Sequence, residues 1–252
     1  MHDNIHYWND RAMKFGHTGW SDFAIYYYDQ ILRIKAVRET VNRNCTRRNL
    51  ALDYGCGTGN FSFMLSEYFH KVIGVDISEL IVNMAKGANK KNNISFELTS
   101  DLIFEYQYDV ILSITVLQHI TDDHQLTRLI TQFERSLNKD GILVVLESFS
   151  GAGSDSEHIK LRRMDDFVEM FRIRGLSLLC KHDFYHPSHF PTEQFRRYNS
   201  NCIVKFTNKL HLLGFPYTDC FLKRIAQKMV KNDNGIIGLD SFTKLMVFGH
   251  TS

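Results

Sequence analysis

The chain has 252 residues, 44% of them apolar and 23% charged, with 30 Lys and Arg against 28 Asp and Glu. That length fits one large domain or one domain carrying an insertion, and the apolar share supports a buried core and excludes wholesale disorder. A net charge of +2 makes no case for nucleic acid or anionic membranes, and no apolar run reaches the roughly 18 residues that span a bilayer.

The start, Met1-His2-Asp3-Asn4, is polar and lacks the apolar stretch of a signal peptide. Residues 1–45 read as helical and aromatic-rich, with Ile31, Ile34, Val37 and Val41 at helical spacing. From Leu50 the pattern alternates. Strands are expected at 50–54, 71–75, 94–98, 108–113 and 141–146, and helices at 59–68, 78–87 and 123–137. Asn138-Lys139-Asp140-Gly141 is expected to be a turn. After the small-residue stretch Ser150–Ser156, a helix is expected at 163–174 and strands at 176–184 and 244–250. The sixty residues between these last strands are too many for a hairpin loop. Amphipathic stretches near 192–212 and 219–231 suggest a helical insertion. Strands alternating with helices imply parallel βαβ units and an α/β, doubly wound, seven-stranded sheet with a helical cap. The expected parts are an N-terminal helical lid at 1–45, a core at 46–150 and a cap insertion at 185–240. Cys45, Cys56, Cys180, Cys202 and Cys220 form no CxxC pair, which favours a reducing, cytoplasmic setting.

The segment Leu52-Asp53-Tyr54-Gly55-Cys56-Gly57-Thr58-Gly59-Asn60 carries the chemistry. A strand runs into three alternating glycines and then a helix. About twenty residues on, Val72-Ile73-Gly74-Val75-Asp76 ends a second strand in a carboxylate. Glycine lets a ligand approach the backbone, and a helix start offers unpaired N–H groups. An acid at the next strand end suits the two hydroxyls of a ribose. A dinucleotide site would space its glycines as G-x-G-x-x-G, whereas this turn is G-x-G-x-G with an acid ahead of it, which suits a ligand with an ammonium group and no phosphates.

This spacing, together with Val75-Asp76-Ile77-Ser78, resembles the class I S-adenosylmethionine (SAM)-dependent methyltransferase family, over roughly Tyr7 to Leu146. The resemblance implies a Rossmann-like fold, SAM as cofactor, S-adenosylhomocysteine as product and no metal. It assigns Asp53, Gly55, Cys56, Gly57 and Gly59 to the methionine part of SAM, Asp76 to the ribose and Ile77 to the adenine face. Ser100, Asp101 and Leu102 resemble the adenine-recognition turn. Ser113 and Thr115, at the end of the fourth strand, join the cofactor set. Tyr7, Trp8 and Arg11, in Tyr7-Trp8-Asn9-Asp10-Arg11-Ala12, resemble a first helix that lids the cofactor, with Arg11 on its carboxylate; a surface arginine is the alternative. Gly16–Asp22 reads as a lid loop, with a helix break in which Trp20 is anchored in the core as the alternative.

Methylation of a hydroxyl needs a base. His119, in Leu117-Gln118-His119-Ile120, is the first candidate and His17 the second; His119 packing on a helix is the alternative. Trp20, Tyr28 and Gln118 are candidate substrate contacts. So are Arg162, Arg163, Arg196 and Arg197, whose forks suit phosphate or carboxylate, although solvated helix faces explain them as well. His186 and His189 lie in a histidine-rich stretch, His182–His189, whose spacing matches no metal site. A small-molecule acceptor, in the anionic case a phosphate or phosphoramidate group, is expected, with O-methylation of a sugar or capping group in bacterial capsule or surface-polysaccharide biosynthesis as the leading reading. N-methylation of an amine, RNA methylation and a non-catalytic SAM-fold protein remain as alternatives. Oligomeric state is not legible.

Overall fold

A computed structural model describes residues 2–102, 104–151, 153–155, 158–184, 196–198, 200–232 and 242–250. The N-terminal run is two helices, α1 (His2–Phe15) and α2 (Phe23–Asn44). Gly16, at φ 73°, closes α1 with its N–H on Ala12 O. Asp22 caps α2, its carboxylate accepting from Ile25 N at 3.0 Å.

The alternating part follows as β1 (Leu50–Tyr54), α3 (Asn60–Leu65), β2 (Lys71–Asp76), α4 (Glu79–Ala88), β3 (Ile94–Leu98), β4 (Tyr108–Ile114), α5 (Asp123–Ser136) and β5 (Leu137–Ser148). A two-rung hairpin, Ser154–Asp155 with Lys160–Leu161, precedes α6 (Met164–Arg172) and β6 (Leu176–Phe184). Then come α7 (Cys202–Leu212), α8 (Thr218–Asn232) and β7 (Thr243–His250). The seven strands form one sheet in the order β3-β2-β1-β4-β5-β7-β6. β1 to β5 pair in parallel, and β7 runs antiparallel to both of its neighbours. The strand order reverses between β1 and β4. In open α/β sheets ligands bind at that crevice, outside the carboxyl ends of the strands.

Neighbouring residues of each central strand serve opposite faces. Ala51, Val72, Val110 and Val144 pack under Val37 and Val41 of α2 and Ala226 and Met229 of α8. Leu52, Ile73, Ile111 and Leu143 pack under Ile130 and Phe133 of α5 and Phe167 and Phe171 of α6. Burial on both sides explains why these strands read as continuous apolar runs.

Two expectations change. Asn138–Gly141 is no turn. β5 begins at Leu137, opposite Tyr108, and resumes at Ile142, opposite Val110, so the segment is a bulge within the strand. Asp109 stabilises it, accepting from Asn138 Nδ2 at 2.6 Å while its other oxygen takes Asn49 N at 2.7 Å. Tyr28 is fully buried in the core and does not reach the site. On α2 Val37 and Val41 are buried in the core and Ile31 and Ile34 pack half-buried against it, as their spacing implies.

Candidate active site

β1 ends in a turn that only glycine accommodates. Gly55, Gly57 and Gly59 have φ of 75°, 54° and 93°, in the left-handed region. At Gly55 a Cβ would come within 2.3 Å of Val116 Cγ2, so the turn also needs hydrogen there for steric reasons. Gly55 N and Cys56 N both donate to Val75 O, tying the turn to the end of β2. One residue on, Asp76 accepts from Gly57 N at 3.0 Å and Ser78 N at 3.1 Å. Burial raises its pKa, and these N–H groups pull it back. Ser78 also caps α4, accepting from Ile81 N. Its hydroxyl donates to Asn9 of α1.

Asp53 sits behind the turn. Its carboxylate accepts from Ser62 Oγ at 2.6 Å, at the start of α3. Complete burial pushes its pKa up to about 7, against the pull of Ser62. It holds the turn against α3 and lies outside the cavity wall.

The crevice is a cavity of 550 Å³ between the strand ends and the N-terminal helices. One wall is the glycine turn with Asp76 and Ile77; the opposite wall is the loop after β4. That loop is built on strain and buried charge. Thr115 adopts φ 55°, unusual for a β-branched residue. Glu147, near the end of β5 and 1% exposed, accepts from the backbone N–H of Val116, Leu117 and Gln118 at 2.9, 2.8 and 3.2 Å. Burial pushes its pKa up to about 7, against those three donors and Arg162. Arg162 fastens the far side, donating to Leu117 O, Ile120 O and Asp123.

His119 stands on this frame. Its Nδ1 lies 2.8 Å from His158 O. A carbonyl only accepts, so Nδ1 carries the proton and Nε2 is the basic nitrogen. Gln118 is oriented by Ser148 N, which donates to its Oε1, and its amide nitrogen lies 3.5 Å from Nε2. Burial lowers the His119 pKa, with the carbonyl bond acting the other way. The ring is therefore neutral at physiological pH. Trp8 packs edge-on against it at 4.8 Å, and Tyr7 stacks on His158.

The N-terminal helices close the remaining sides. Arg11 donates to the carbonyls of Thr18 and Gly19, drawing the Gly16–Asp22 loop across the turn. Thr18 Oγ1 reaches within 3.1 Å of where a Cβ on Gly57 would stand. From α2, Asp29 and Arg33 form a buried ion pair at 2.8 Å in the cavity wall. Arg33 also donates to Thr115 Oγ1 at 3.3 Å. Asn60 donates to Tyr26 OH and Gln30 Oε1.

Of the residues expected from the sequence, Tyr7, Trp8, Arg11, Trp20, Gly55, Cys56, Gly57, Asp76, Ile77, Thr115, Gln118 and His119 share this cavity. Gly59 and Ser113 stand behind it, and Thr99 reaches it where Ser100, Asp101 and Leu102 do not. His17 is 4% exposed, stacked on Tyr26 at 3.5 Å and flanked by Phe15 and Phe23, with neither ring nitrogen hydrogen-bonded. Burial, then Arg11 and His211, take its pKa down to about 4. It sits in the packing behind the loop, out of reach of an acceptor in the cavity. Arg162 is consumed by the 117–123 loop. Arg163 lies on the surface near Asp166, and Arg196 and Arg197 are exposed. His186 and His189 lie outside the described residues. Sequence reasoning missed Asp29, Arg33 and Glu147. Asp29 and Arg33 were visible as an i, i+4 pair inside an aromatic stripe, and Glu147 as an acid ending the apolar run Ile142–Leu146.

Residues 51–141 match the family described as "Methyltransferase domain". Among curated proteins, the chain is 26% identical over 126 residues to a ubiquinone biosynthesis O-methyltransferase of Pelagibacter ubique, covering 45% of this chain and 51% of that one. It is 27% identical over 130 residues to a carboxy-S-adenosyl-L-methionine synthase of Helicobacter pylori, covering 49% and 54%. The chain thus spans about half the length of the curated relatives it matches. Among solved structures it resembles a SAM-dependent methyltransferase from Clostridium acetobutylicum, at TM-score 0.59 and 13% identity over 90% of this chain and 97% of that one. It also resembles the magnesium protoporphyrin IX methyltransferase of Synechocystis with bound SAH, at TM-score 0.56 and 19% identity over 70% and 90%. At these identities the likeness shows the fold.

Proposed function

We propose that this chain, which has the class I methyltransferase fold and carries a methyltransferase domain at 51–141, transfers a methyl group from SAM to a hydroxyl of a small-molecule acceptor. The observation that carries this reading is one cavity with the glycine turn and Asp76 on one wall and the basic nitrogen of His119 on the other. The residues fit the cofactor: a turn without side chains for its methionine part, and a carboxylate at a strand end for its ribose. SAM supplies an electrophilic sulfonium methyl. Asp76 would hold the ribose hydroxyls, Arg11 ties the Gly16–Asp22 loop over the turn, and Trp8 packs against the imidazole. Nε2 of His119 would take the proton of the acceptor hydroxyl as that oxygen is methylated, with Nδ1–H still donating to His158 O.

The wall offers little grip to a strongly anionic acceptor. Arg11 is engaged on the Thr18 and Gly19 carbonyls, Arg33 is paired with Asp29, and the four arginines expected to grip phosphate are bound elsewhere or lie outside the cavity. A neutral hydroxyl is the acceptor this wall suits, so within the capsule and surface-polysaccharide reading we keep the sugar hydroxyl and set aside phosphate and phosphoramidate groups. The O-methyltransferase among the relatives agrees with oxygen as the acceptor atom. Calorimetry with SAM and S-adenosylhomocysteine tests the cofactor, and micromolar binding is expected. Turnover on a panel of sugar and phenolic hydroxyls, against the matching amines and phosphates, tests the acceptor; turnover confined to amines or phosphates would overturn the hydroxyl assignment.

A further inference from the structure

The net charge of +2 hides a segregation. Residues 202–232 carry Lys205, Lys209, Lys223, Arg224, Lys228 and Lys231 against a single acid, Asp219, a net of +5 in a chain of +2. All six cations are exposed, and so are Arg196 and Arg197 just before them. The same stretch holds most of the large apolar side chains that the described residues leave in solvent. Ile203 and Phe206 lie one turn apart on α7, and Leu213 continues that face one heptad further. Leu212, Phe215 and Tyr217 follow through the connection to α8, Tyr217 at 88% exposure.

The connection is closed by backbone hydrogen bonds. Phe215 N donates to Leu210 O and Gly214 N to His211 O, with Gly214 at φ 77°, the hydrogen-bond pattern of a Schellman motif. Tyr217 takes φ 63°, a strained conformation for a tyrosine whose ring finds no cover. Meanwhile Val204 and Asn208 of α7, and Leu222, Ala226 and Met229 of α8, face inward. The hairpin is anchored through one stripe and presents the other, apolar at its tip and cationic along its flanks.

We propose that the α7–α8 hairpin is a membrane-surface anchor, its tip residues Leu213, Phe215 and Tyr217 entering the headgroup boundary of an anionic bilayer while the lysines pair with lipid phosphates. Amphipathic helices with cationic flanks lie in interfaces in this way. A second copy of the chain is a poor occupant, because a two-fold contact would set one +5 surface against another. Nucleic acid is a poor one too: it would use the rings of Phe206, Phe215 and Tyr217 but leave Ile203, Leu212 and Leu213, which offer no ring for stacking, in solvent. The anchor bears on the cavity through α7, where Asn208 donates to the Asp22 carboxylate and accepts from Phe23 N at the end of the Gly16–Asp22 loop.

The test is flotation of the full chain with vesicles of phosphatidylcholine containing phosphatidylglycerol. Co-flotation is expected, weaker on phosphatidylcholine alone and lost in high salt. Leu213→Ser/Phe215→Ser/Tyr217→Ser is expected to stay in solution with unchanged circular dichroism. Lys205→Gln/Lys209→Gln is expected to weaken binding about fivefold per lysine. No flotation on anionic vesicles overturns the proposal. So does flotation that both variants retain, or a dimer or RNA complex that the triple variant loses while vesicle binding is absent. None of these readouts depends on methyl transfer.

Discussion

The Nδ1 of His119 and the backbone carbonyl of His158 lie 2.8 Å apart, and that one contact settles which side of the imidazole is basic. The carbonyl accepts a hydrogen bond from Nδ1–H, so the lone pair is on Nε2. His119→Ala is expected to cut kcat by about 10²–10⁴ with little change in SAM affinity. Because burial sets the pKa below the ordinary 6.5, kcat/KM of the wild type should be level through pH 7–9 and fall only on the acid side. A wild-type rate that keeps climbing between pH 7 and 9 would remove His119 as the base.

Asp76 is held by two N–H groups, one of them from the glycine turn itself. Asp76→Ala should weaken SAM about a hundredfold or more, since charge-assisted hydrogen bonds contribute roughly 1.5–3 kcal/mol each. Calorimetry reads it directly. Unchanged affinity in a folded variant would sink the cofactor assignment.

Gly55 and Val116 are a steric pair. Gly55→Ala meets both a 2.3 Å clash and a positive φ, so the variant should lose SAM binding and several degrees of Tm. Adding Val116→Ala relieves the clash and leaves the strain, so about 1 kcal/mol of the loss should remain. Full rescue, or none, in a chemical-denaturation cycle would contradict this division.

His17 is neutral in the fold, with its pKa taken down to about 4 from 6.5. Below pH 6.5 the unfolded chain takes up a proton that the folded chain refuses, so stability is lost as pH falls from 6.5 toward 4. The loss at pH 5 relative to neutral is on the order of 2 kcal/mol. His17→Phe should match the wild type near pH 7.5 and exceed it increasingly toward pH 5. A constant difference in unfolding free energy across that range would show that His17 titrates normally.

The sheet was legible because parallel strands buried on both faces leave apolar runs of the right length between capped helices. Ser78, Asp122 and Asn201 each accept from an N–H of the first turn they precede. The glycine-turn wall of the cavity was legible because glycine and carboxylate act there through backbone position, which sequence spacing reports, although Asp53, Ser100, Asp101 and Leu102 fall outside that wall. The acceptor side was not, because its residues meet only after folding. Asp29 and Arg33 come from α2, Thr115 and His119 from the loop after β4, and Glu147 from β5. Arginines are the instructive case. Arg162 looked like a phosphate fork, yet its guanidinium is occupied by Leu117 O, Ile120 O and Asp123; residue type shows that a fork exists and says nothing of what fills it. The bulge at Asn138–Gly141 escaped notice because its sequence is also that of a good turn.

Ser78 has a wider role than ending a helix. Its hydroxyl proton goes to Asn9 of α1 while its lone pair keeps Ile81 N. If α1 swings away, only the proton side of that bond is surrendered, and water replaces it at once. The lone pair still terminates α4, and Asp76 still holds Ser78 N. The cap of α4 and the Asp76 carboxylate thus do not depend on the Ser78–Asn9 contact, and a displacement of α1 would leave that end of the cavity in place.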